Sequence, residues 1–580
     1  MNYQLNTVAN KPFTALRKLL PIIKGERKIM SLAFVALIVN TLTYLIVPII
    51  IAHTINTSII SKDYSGVVRA SLWVFALYLV GFIASYFQTR WMGAVGQHVL
   101  FSLRNQLFSK LQSLPVAFFS QNKAGDLISR INNDTDKLNQ FFSQGLLQFT
   151  GNLFMMIGAA VFILFVNIKL GLAALAPAVI VLLLTKLISP WIKKRNAASL
   201  QTVGGMSAEI QESLDNFKVV EAFNRRDYFS KRFAAINNQN YRRAVAAGIA
   251  NNIFIPLYGL AGNVAQIIVL FFGIFLLQQG QFTIGFMISY FVYLSRFYDP
   301  MRQIAGIWPV FQVAMAGWDR ISAVLAMRSN LPVMVEVEPA HGKGLLEFRH
   351  VSFKYGEKEV LHNVSFTLER GKTYAFVGPT GGGKTTTASL IARLYDPASG
   401  QILLDGIDIR TYVTEARTQK IGFILQEPFL FTGTLYENIL YGNDAYQQYS
   451  PEQLNEVLQQ KGLLHILERF DKGLQTPVTS KGESMSLGQR QLIAFVRALL
   501  REPELLILDE ATANIDTVTE QLLGEILDKL PAQTTQIIIA HRLNTIEKSD
   551  EIFFVNGGQI VQAGSFDHAI RLLMEGKRVS

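Results

Sequence analysis

Residues 378–385 read Gly378-Pro379-Thr380-Gly381-Gly382-Gly383-Lys384-Thr385. The spacing Gly-x-x-x-x-Gly-Lys-Thr suits the holding of a chain of phosphates. Glycines let the backbone wrap close to an anion with its N–H groups turned inward. Lys384 would reach the outer phosphates, and the Thr385 hydroxyl would bind Mg2+. Thr373–Val377 (TYAFV) is a short apolar run that reads as a buried strand feeding the loop. A helix starting at the end of the loop would add its positive N-terminal pole. A purely structural glycine turn is the bland alternative, and the flanking strand and helix count against it.

A second candidate lies downstream. Leu505–Leu508 is an apolar run that ends in Asp509 and Glu510. An acid at the end of such a strand can hold Mg2+, directly or through water, and a second acid beside it can polarise an attacking water. Two acids after an apolar run often merely begin a loop; beside a phosphate loop they gain meaning.

These groups need a scaffold, and composition divides the chain in two. Of 580 residues, 50% are hydrophobic and only 17% are charged, where a soluble protein usually has about a quarter. The long apolar runs all precede residue 320, and the remainder of the chain reads as a soluble α/β protein. There is no cysteine, so disulfides and thiolate metal sites are excluded. The basic residues from Lys11 to Lys28 are followed by an apolar run too long for a cleaved signal peptide.

A membrane helix needs about 20 mostly apolar residues. Ser31–Ala52, Ala70–Thr89, Leu138–Ile168 and Leu170–Thr185 carry no charge, and Ala244–Ser295 is long enough for two crossings joined by the polar turn at Gln278–Gln281. The count expected is six. Buried core helices are the alternative, and so many such runs in one half of a chain make it a poor one. Positive charge gathers in the long loops after the second and fourth runs, including Arg104, Lys110, Lys123 and Arg130 in one and Lys193, Lys194, Arg195, Arg225, Arg226, Lys231 and Arg232 in the other. Only Lys62, Arg69 and Lys169 lie near the short loops. The expectation is therefore a multi-pass membrane protein with both termini in the cytoplasm. Much of the net charge of +11 is topology, and no nucleic-acid partner is needed to explain it. Both basic loops space apolar residues three and four apart over Leu100–Leu114 and Met206–Ala235, so the membrane helices should continue into the cytoplasm. Their tips are expected near Asn122–Arg130 and Asn216–Asp227.

With these motifs in order, the whole chain resembles an exporter-type half of an ATP-binding cassette (ABC) transporter. The implied fold is an all-α membrane domain of six long helices fused to an α/β P-loop cassette. The implied divisions are 1–325 for the membrane domain with two cytoplasmic coupling loops, 326–343 for a linker and 344–580 for the cassette. The series runs Tyr355, the loop 378–385, Gln426, a signature-like stretch Met485–Gln489, Asp509-Glu510 and His541. By resemblance, Tyr355 stacks on adenine, while the loop with Thr386 holds ATP. Gln426 senses Mg2+ and binds it with Thr385 and Asp509. Glu510 is the general base and His541 the switch contacting the γ-phosphate. Such cassettes work in pairs, each ATP lying between one phosphate loop and the other copy's LSGGQ signature. The implied partner is a second half-transporter, and the two loop tips resemble coupling helices.

The chain departs from the pattern at Met485-Ser486-Leu487-Gly488-Gln489, where Leu487 replaces a glycine, and at Ala513-Asn514-Ile515-Asp516 in place of SALD. Ser486, Gly488 and Gln489 are kept as the contacts across to ATP. A Cβ at 487 is expected to restrict conformation and approach and to slow that half-site. An intact Glu510 beside a weakened signature resembles one member of a heterodimeric multidrug-type exporter; a homodimer in which Leu487 is harmless variation stays open.

The implied activity is ATP-driven export of a small amphipathic or lipophilic molecule or lipid by alternating access, in a bacterial inner membrane. An ATP-gated channel or membrane-bound sensor would share the same motifs. Asn40, Tyr44, Asn152, Asn251, Asn252, Asn263, Gln266, Tyr290 and Tyr293 fall within the apolar runs and could face a cavity or bond neighbouring helices. No charge interrupts those runs, so a strongly charged substrate has no evident partner.

Overall fold

Long uncharged runs become long helices, because a helix satisfies its own backbone where water is absent. The computed structural model describes residues 3–5, 24–328, 331, 333–334, 344–479, 485–509, 515–539, 549–564, 568 and 571. In chain order the helices are α1 (Arg27–Thr54), α2 (Tyr64–Gln112), α3 (Val116–Gln121), α4 (Ala124–Ser129), α5 (Thr135–Gln140), α6 (Leu146–Val166), α7 (Ile168–Asp215), α8 (Phe217–Ala222), α9 (Arg226–Asn252), α10 (Phe254–Gln278) and α11 (Ile284–Leu325). Single π turns, Arg130–Asp134 and Phe141–Gly145, join α4, α5 and α6 into one rod. Among the described residues five stretches are long and apolar enough to cross a membrane: Arg27–Ile59, Tyr64–Gln112, Ala124–Val166, Ile168–Asp215 and Arg226–Gln278. Six were expected. The helix that would supply the sixth is α11, which has the length but carries Arg296, Asp299 and Arg302 beyond its uncharged first part.

Boundary signals are local. Asn167 breaks the chain between α6 and α7 with an extended backbone, and its side chain accepts the Leu170 N–H at 3.0 Å. Thr283 caps α11 in the same way. Pro115 ends the long reach of α2 and starts α3 from an extended backbone. The first loop's short helix therefore lies at Val116–Gln121, just before the expected tip at 122–130. The second, α8, lies within the expected 216–227.

Inside the bundle, α11 is bonded to its neighbours through side-chain hydroxyls. Tyr290 donates to the Ile163 carbonyl (2.7 Å), Tyr298 to Ala174 (2.8 Å), Ser289 to Pro48 (2.6 Å) and Tyr293 to Leu45. Each such bond is worth about 1 kcal/mol. They hold α11 against α1, α6 and α7 around a buried cluster that includes Ala178, Ala265 and Val269. Outward, the spans expose large apolar side chains such as Phe165 and Phe271, 87% and 79% exposed. That is a surface for lipid or protein rather than for water. Past the apolar stretch, Arg320 of α11 pairs with Asp126 (2.5 Å) and with the fully buried Asp134 (3.2 Å), and buried Arg130 donates to the Arg320 carbonyl (2.7 Å).

The chain forms two compact units. One is Leu5–Gln112 with Ala124–Ala326; the other is Met1–Gln4, Ser113–Lys123 and Met327–Ser580. The loop segment carrying α3 thus belongs to the second unit. There Tyr3 is buried, its N–H donating to Gln121 Oε1 (2.7 Å) and its carbonyl accepting from Asn122 (3.0 Å).

Among the described residues the second unit has twelve strands: β1 (Leu346–Tyr355), β2 (Lys358–Leu368), β3 (Thr373–Val377), β4 (Ser399–Leu404), β5 (Ile407–Asp408), β6 (Ile421–Ile424), β7 (Gly433–Thr434), β8 (Pro477–Val478), β9 (Leu505–Asp509), β10 (Thr535–Ile539), β11 (Glu551–Asn556) and β12 (Gln559–Gln562). A four-stranded antiparallel sheet runs β2-β1-β4-β5, and a six-stranded sheet runs β12-β11-β3-β10-β9-β6. In the larger sheet β11, β3, β10, β9 and β6 are all parallel. Its inner strands read as unbroken apolar runs because both faces are covered. Alternation then sorts their side chains: Leu505 and Ile507 join the core with Phe348, Phe376 and Phe553, while Leu506 and Leu508 face a helical core with Leu492 and Phe495. The fold class is the expected one, a long-helical domain fused to an α/β domain.

Ile507 is fully buried where β9 meets the first of these cores. Ile507→Ala is expected to destabilise the cassette by about 2–5 kcal/mol and Ile507→Val by about 0.5–1.5 kcal/mol. Thermal unfolding of the full-length protein in detergent would check this as a graded fall in the cassette's transition.

Candidate functional site

Parallel strands deliver their C-terminal ends to one side of a sheet, and the loops leaving those ends can meet there. β3 runs into the loop at Gly378, β9 ends in Asp509, and β6 leads two residues on to Gln426. Register ties them together, with Phe376 beside Ile539, Ile539 beside Asp509, and Leu508 beside Ile424. Glu510 follows β9 and His541 follows β10 in sequence; both lie outside the described residues, as do Ala513 and Asn514.

The loop has no room for another residue type at its first position. Gly378 has φ +147°, and a Cβ there would lie 2.0 Å from the Val555 carbonyl oxygen. The loop then turns into a helix, α12 (Lys384–Ile391), which starts directly after Gly383. Lys384 is buried, and its Nζ donates to the carbonyls of Gly378 (2.8 Å) and Pro379 (3.1 Å). The Thr385 hydroxyl lies 3.3 Å from Asp509 Oδ1, and Asp509 is itself buried. Thr380, Gly381, Gly383, Lys384, Thr385 and Thr386 line a cavity of about 570 Å³, the size that a nucleotide-like ligand needs.

Six predicted positions have distinct surroundings. Tyr355 is half-exposed and does not line that cavity; its ring meets Phe353 (4.8 Å) and Tyr395 (5.3 Å) edge-on. Partial burial raises its phenol pKa, against a bond with Thr386 that lowers it. Gln426 is exposed at the end of β6. Ser486 caps the helix α13 (Leu487–Leu500), its Oγ accepting the Gln489 N–H (3.1 Å) while Gln489 accepts the Ser486 N–H (3.0 Å). Gly488 is buried, and a Cβ there would lie 2.9 Å from Thr519 Cγ2. Thr519 in turn bonds Asp516, the cap of the next helix. Leu487 has ordinary helical backbone as the first residue of its helix. The expected conformational restriction at 487 is therefore absent, because a glycine there would need no left-handed φ.

The cavity has a wall that motif reading missed. Lys358, Glu359, Val360 and His362 of β2 and the turn Gly557-Gly558 complete it. The Gly558 N–H donates to the Gly382 carbonyl (3.0 Å) and His362 N–H to the Gly558 carbonyl (2.9 Å). Paired glycines at positive φ between β11 and β12 mark a tight hairpin in the sequence. Nothing local says that this hairpin bonds the phosphate loop.

Polar residues in the spans fall into separate groups. Tyr290 and Tyr293 bond helix backbones. Asn251 exchanges two bonds with Asn196 (2.8 and 3.0 Å), and Asn252 donates to the Gly248 carbonyl. Asn263 is exposed and Gln266 half-buried. Asn40, Tyr44 and Asn152 line a second cavity, of about 610 Å³, together with Arg296. That guanidinium corrects the expectation of an uncharged interior. The uncharged run stops at Ser295, but the same helix continues, and its next residue joins the cavity wall.

Two family models match the chain, the ABC transporter transmembrane region over residues 30–301 and the ABC transporter over residues 361–513. The chain is similar to an uncharacterized ABC transporter ATP-binding protein of Bacillus subtilis, 32% identical over 98% of this chain and 94% of that one. It is also similar to a fatty acid ABC transporter ATP-binding/permease protein of Mycobacterium tuberculosis, 32% identical over 89% of this chain and 81% of the other. A third relative is an ATP-dependent lipid A-core flippase of Pectobacterium atrosepticum, 31% identical over 97% and 96% of the two chains.

The close approach of Val555 to the loop yields a direct test. Gly378→Ala is expected to weaken nucleotide binding at least about tenfold through displacement of the loop. Titration of the purified protein with trinitrophenyl-ATP would measure it, and wild-type affinity would contradict the geometry described.

Proposed function

The chain belongs to the ABC transporter family, carrying a transmembrane region and an ATP-binding cassette in one polypeptide, and on that premise we propose that it is one half of an alternating-access exporter for amphipathic or lipophilic molecules. Its ATPase is coupled to transport across a membrane. The observation that carries the reading is the meeting of Thr385 and Asp509 at 3.3 Å beside the Lys384 loop, in a chain whose described residues include five apolar spans.

Bound ATP supplies a phosphoanhydride whose hydrolysis drives the cycle. In the proposal the loop's N–H groups and Lys384 hold its phosphates, with Lys384 exchanging the carbonyls of Gly378 and Pro379 for phosphate oxygens. Tyr355 stacks on the base after turning from Phe353 and Tyr395. Mg2+ would be held by the Thr385 hydroxyl, Asp509 and Gln426, because it takes few protein ligands and keeps phosphate and water for the rest. Glu510 is assigned the base that orients water, and His541 the contact to the departing phosphate.

Residues 1–325 act as the membrane part, 326–343 as linker and 344–580 as cassette, with both termini on the cytoplasmic side of a bacterial inner membrane. The short helices α3 and α8 carry cassette closure to the spans. The partner is a second half-transporter, and a heterodimer is favoured. Leu487 projects a half-buried side chain from the first turn of α13, beside the Ser486 cap. Its bulk slows the site made with the partner's phosphate loop by limiting approach, whereas this chain's own loop pairs with the partner's signature in the fast site.

Glu510→Gln should keep ATP binding and cut turnover by about 10²- to 10⁴-fold; normal turnover would refute that base. ATP-dependent accumulation of a lipophilic dye in inside-out vesicles, against its gradient, tests export against an ATP-gated channel, which cannot accumulate anything. The mass of the gently extracted complex should reveal a second, different chain. A complex of this chain alone would refute the heterodimer and leave the exporter in place.

A further inference from the structure

The cavity of about 610 Å³ lies wholly within the helical unit. Its walls come from α1, α2, the α5–α6 rod and α11. Three buried polar atoms on those walls have no hydrogen-bond partner: Asn40 Oδ1, Asn152 Nδ2 and Arg296 Nη1. Asn40 and Asn152 lie deep within uncharged runs, so the cavity sits among the membrane spans. Leu37, Leu147, Met155 and Val292 supply an apolar lining between the polar groups.

Arg296 is the unusual member. Its guanidinium stands over the rings of Tyr44 (5.9 Å) and Tyr293 (6.0 Å). Among the described residues no carboxylate comes within 4.0 Å of it; Asp299, on the same wall, reaches Arg302 at 3.7 Å instead. A guanidinium partly withdrawn from water among membrane helices is costly unless paired. Two aromatic faces offset only part of that cost. Arginine's fixed donors match the oxygens of a carboxylate or phosphate. The chemistry that completes this cavity is an anion attached to an apolar body, with a further polar group for Asn40 and Asn152.

We propose that the cavity binds an amphiphile with an anionic headgroup, which Arg296 pairs while Leu37, Leu147, Met155 and Val292 enclose its apolar part. The inference rests on the exporter reading and narrows its substrate class from amphipathic to anionic amphiphilic.

The test uses the purified full transporter complex in phosphatidylcholine nanodiscs without nucleotide. Dansylaminoundecanoate serves as the fluorescent probe, with dodecanoate, dodecyl phosphate and dodecylammonium as competitors. Either anion should displace the probe, and whichever acts at lower concentration identifies the headgroup as carboxylate or phosphate; dodecylammonium should compete at least about tenfold less well. Arg296→Gln should weaken probe binding about tenfold, the loss of one charge-assisted contact, and Arg296→Lys should restore most of it. If Arg296→Gln does not fold, Asn152→Leu takes its place, with a weakening of about threefold expected. Equal competition by cation and anions, or anion binding unchanged in the folded variants, would overturn the proposal. Vesicle transport separates the two readings. Accumulation that ignores headgroup charge refutes the anion site while export stands. Anion-selective binding without ATP-driven accumulation refutes export and leaves the site supported.

Discussion

Parallel pairing of β3 between β10 and β11 is the constraint on which the cassette depends. It fixes where the phosphate loop starts, because Gly378 leaves β3 against the Val555 carbonyl with no space for a side chain. The same pairing carries β9 in register one strand further out, so that Asp509 arrives beside Thr385. Distant stretches of sequence become one site because hydrogen-bonded strands can shift only in whole residues, and a one-residue slip would turn Leu506 and Leu508 into the wrong core. The β11–β12 hairpin then bonds the loop from the opposite side through Gly558 and Gly382. The site is thereby held by both neighbours of β3 and by the strand beyond.

A different constraint governs the helical unit. Where water is scarce, each polar group must find a protein partner or a ligand. Tyr290, Tyr293, Tyr298 and Ser289 find helix carbonyls and in doing so hold α11 in place. Asn40, Asn152 and Arg296 present atoms that find none. Residues of similar composition in similar runs thus have opposite roles, one set closing the bundle and the other opening a cavity within it. The ion pairs of Arg320 with Asp126 and Asp134 lie on the same helix further along, so α11 joins cavity wall and loop helices in one rod.

At the signature, geometry changes the meaning of a substitution. Gly488, not Leu487, is the position where a side chain has no space, since Thr519 lies under it. Leu487 occupies helical backbone that any residue adopts, so its effect reduces to bulk at the helix start. Ser486 and Gln489 are already engaged in capping that helix. The surface there is a pre-formed helix N-terminus.

The sequence alone determined the division into apolar helices and α/β cassette, because hydrophobic run length and glycine spacing are local properties written residue by residue. It also marked the glycine loop at 378–385, the strands TYAFV and LLILD, and the second basic loop's short helix within 216–227, whereas the first loop's short helix lies at Val116–Gln121, before the expected 122–130. Tertiary structure alone decided which wall Lys358, His362 and Gly558 complete and that Tyr355 rests against Phe353 and Tyr395. It decided too that Arg296 joins Asn40 and Asn152 around one cavity. Those facts turn on contacts between residues far apart in the chain, where a helix's rotation or a strand's register chooses the neighbour. A span boundary drawn at the last uncharged residue stops at Ser295; helix packing carries the bundle past it, through Tyr298 and Met301, and the first residue beyond the boundary is the cation.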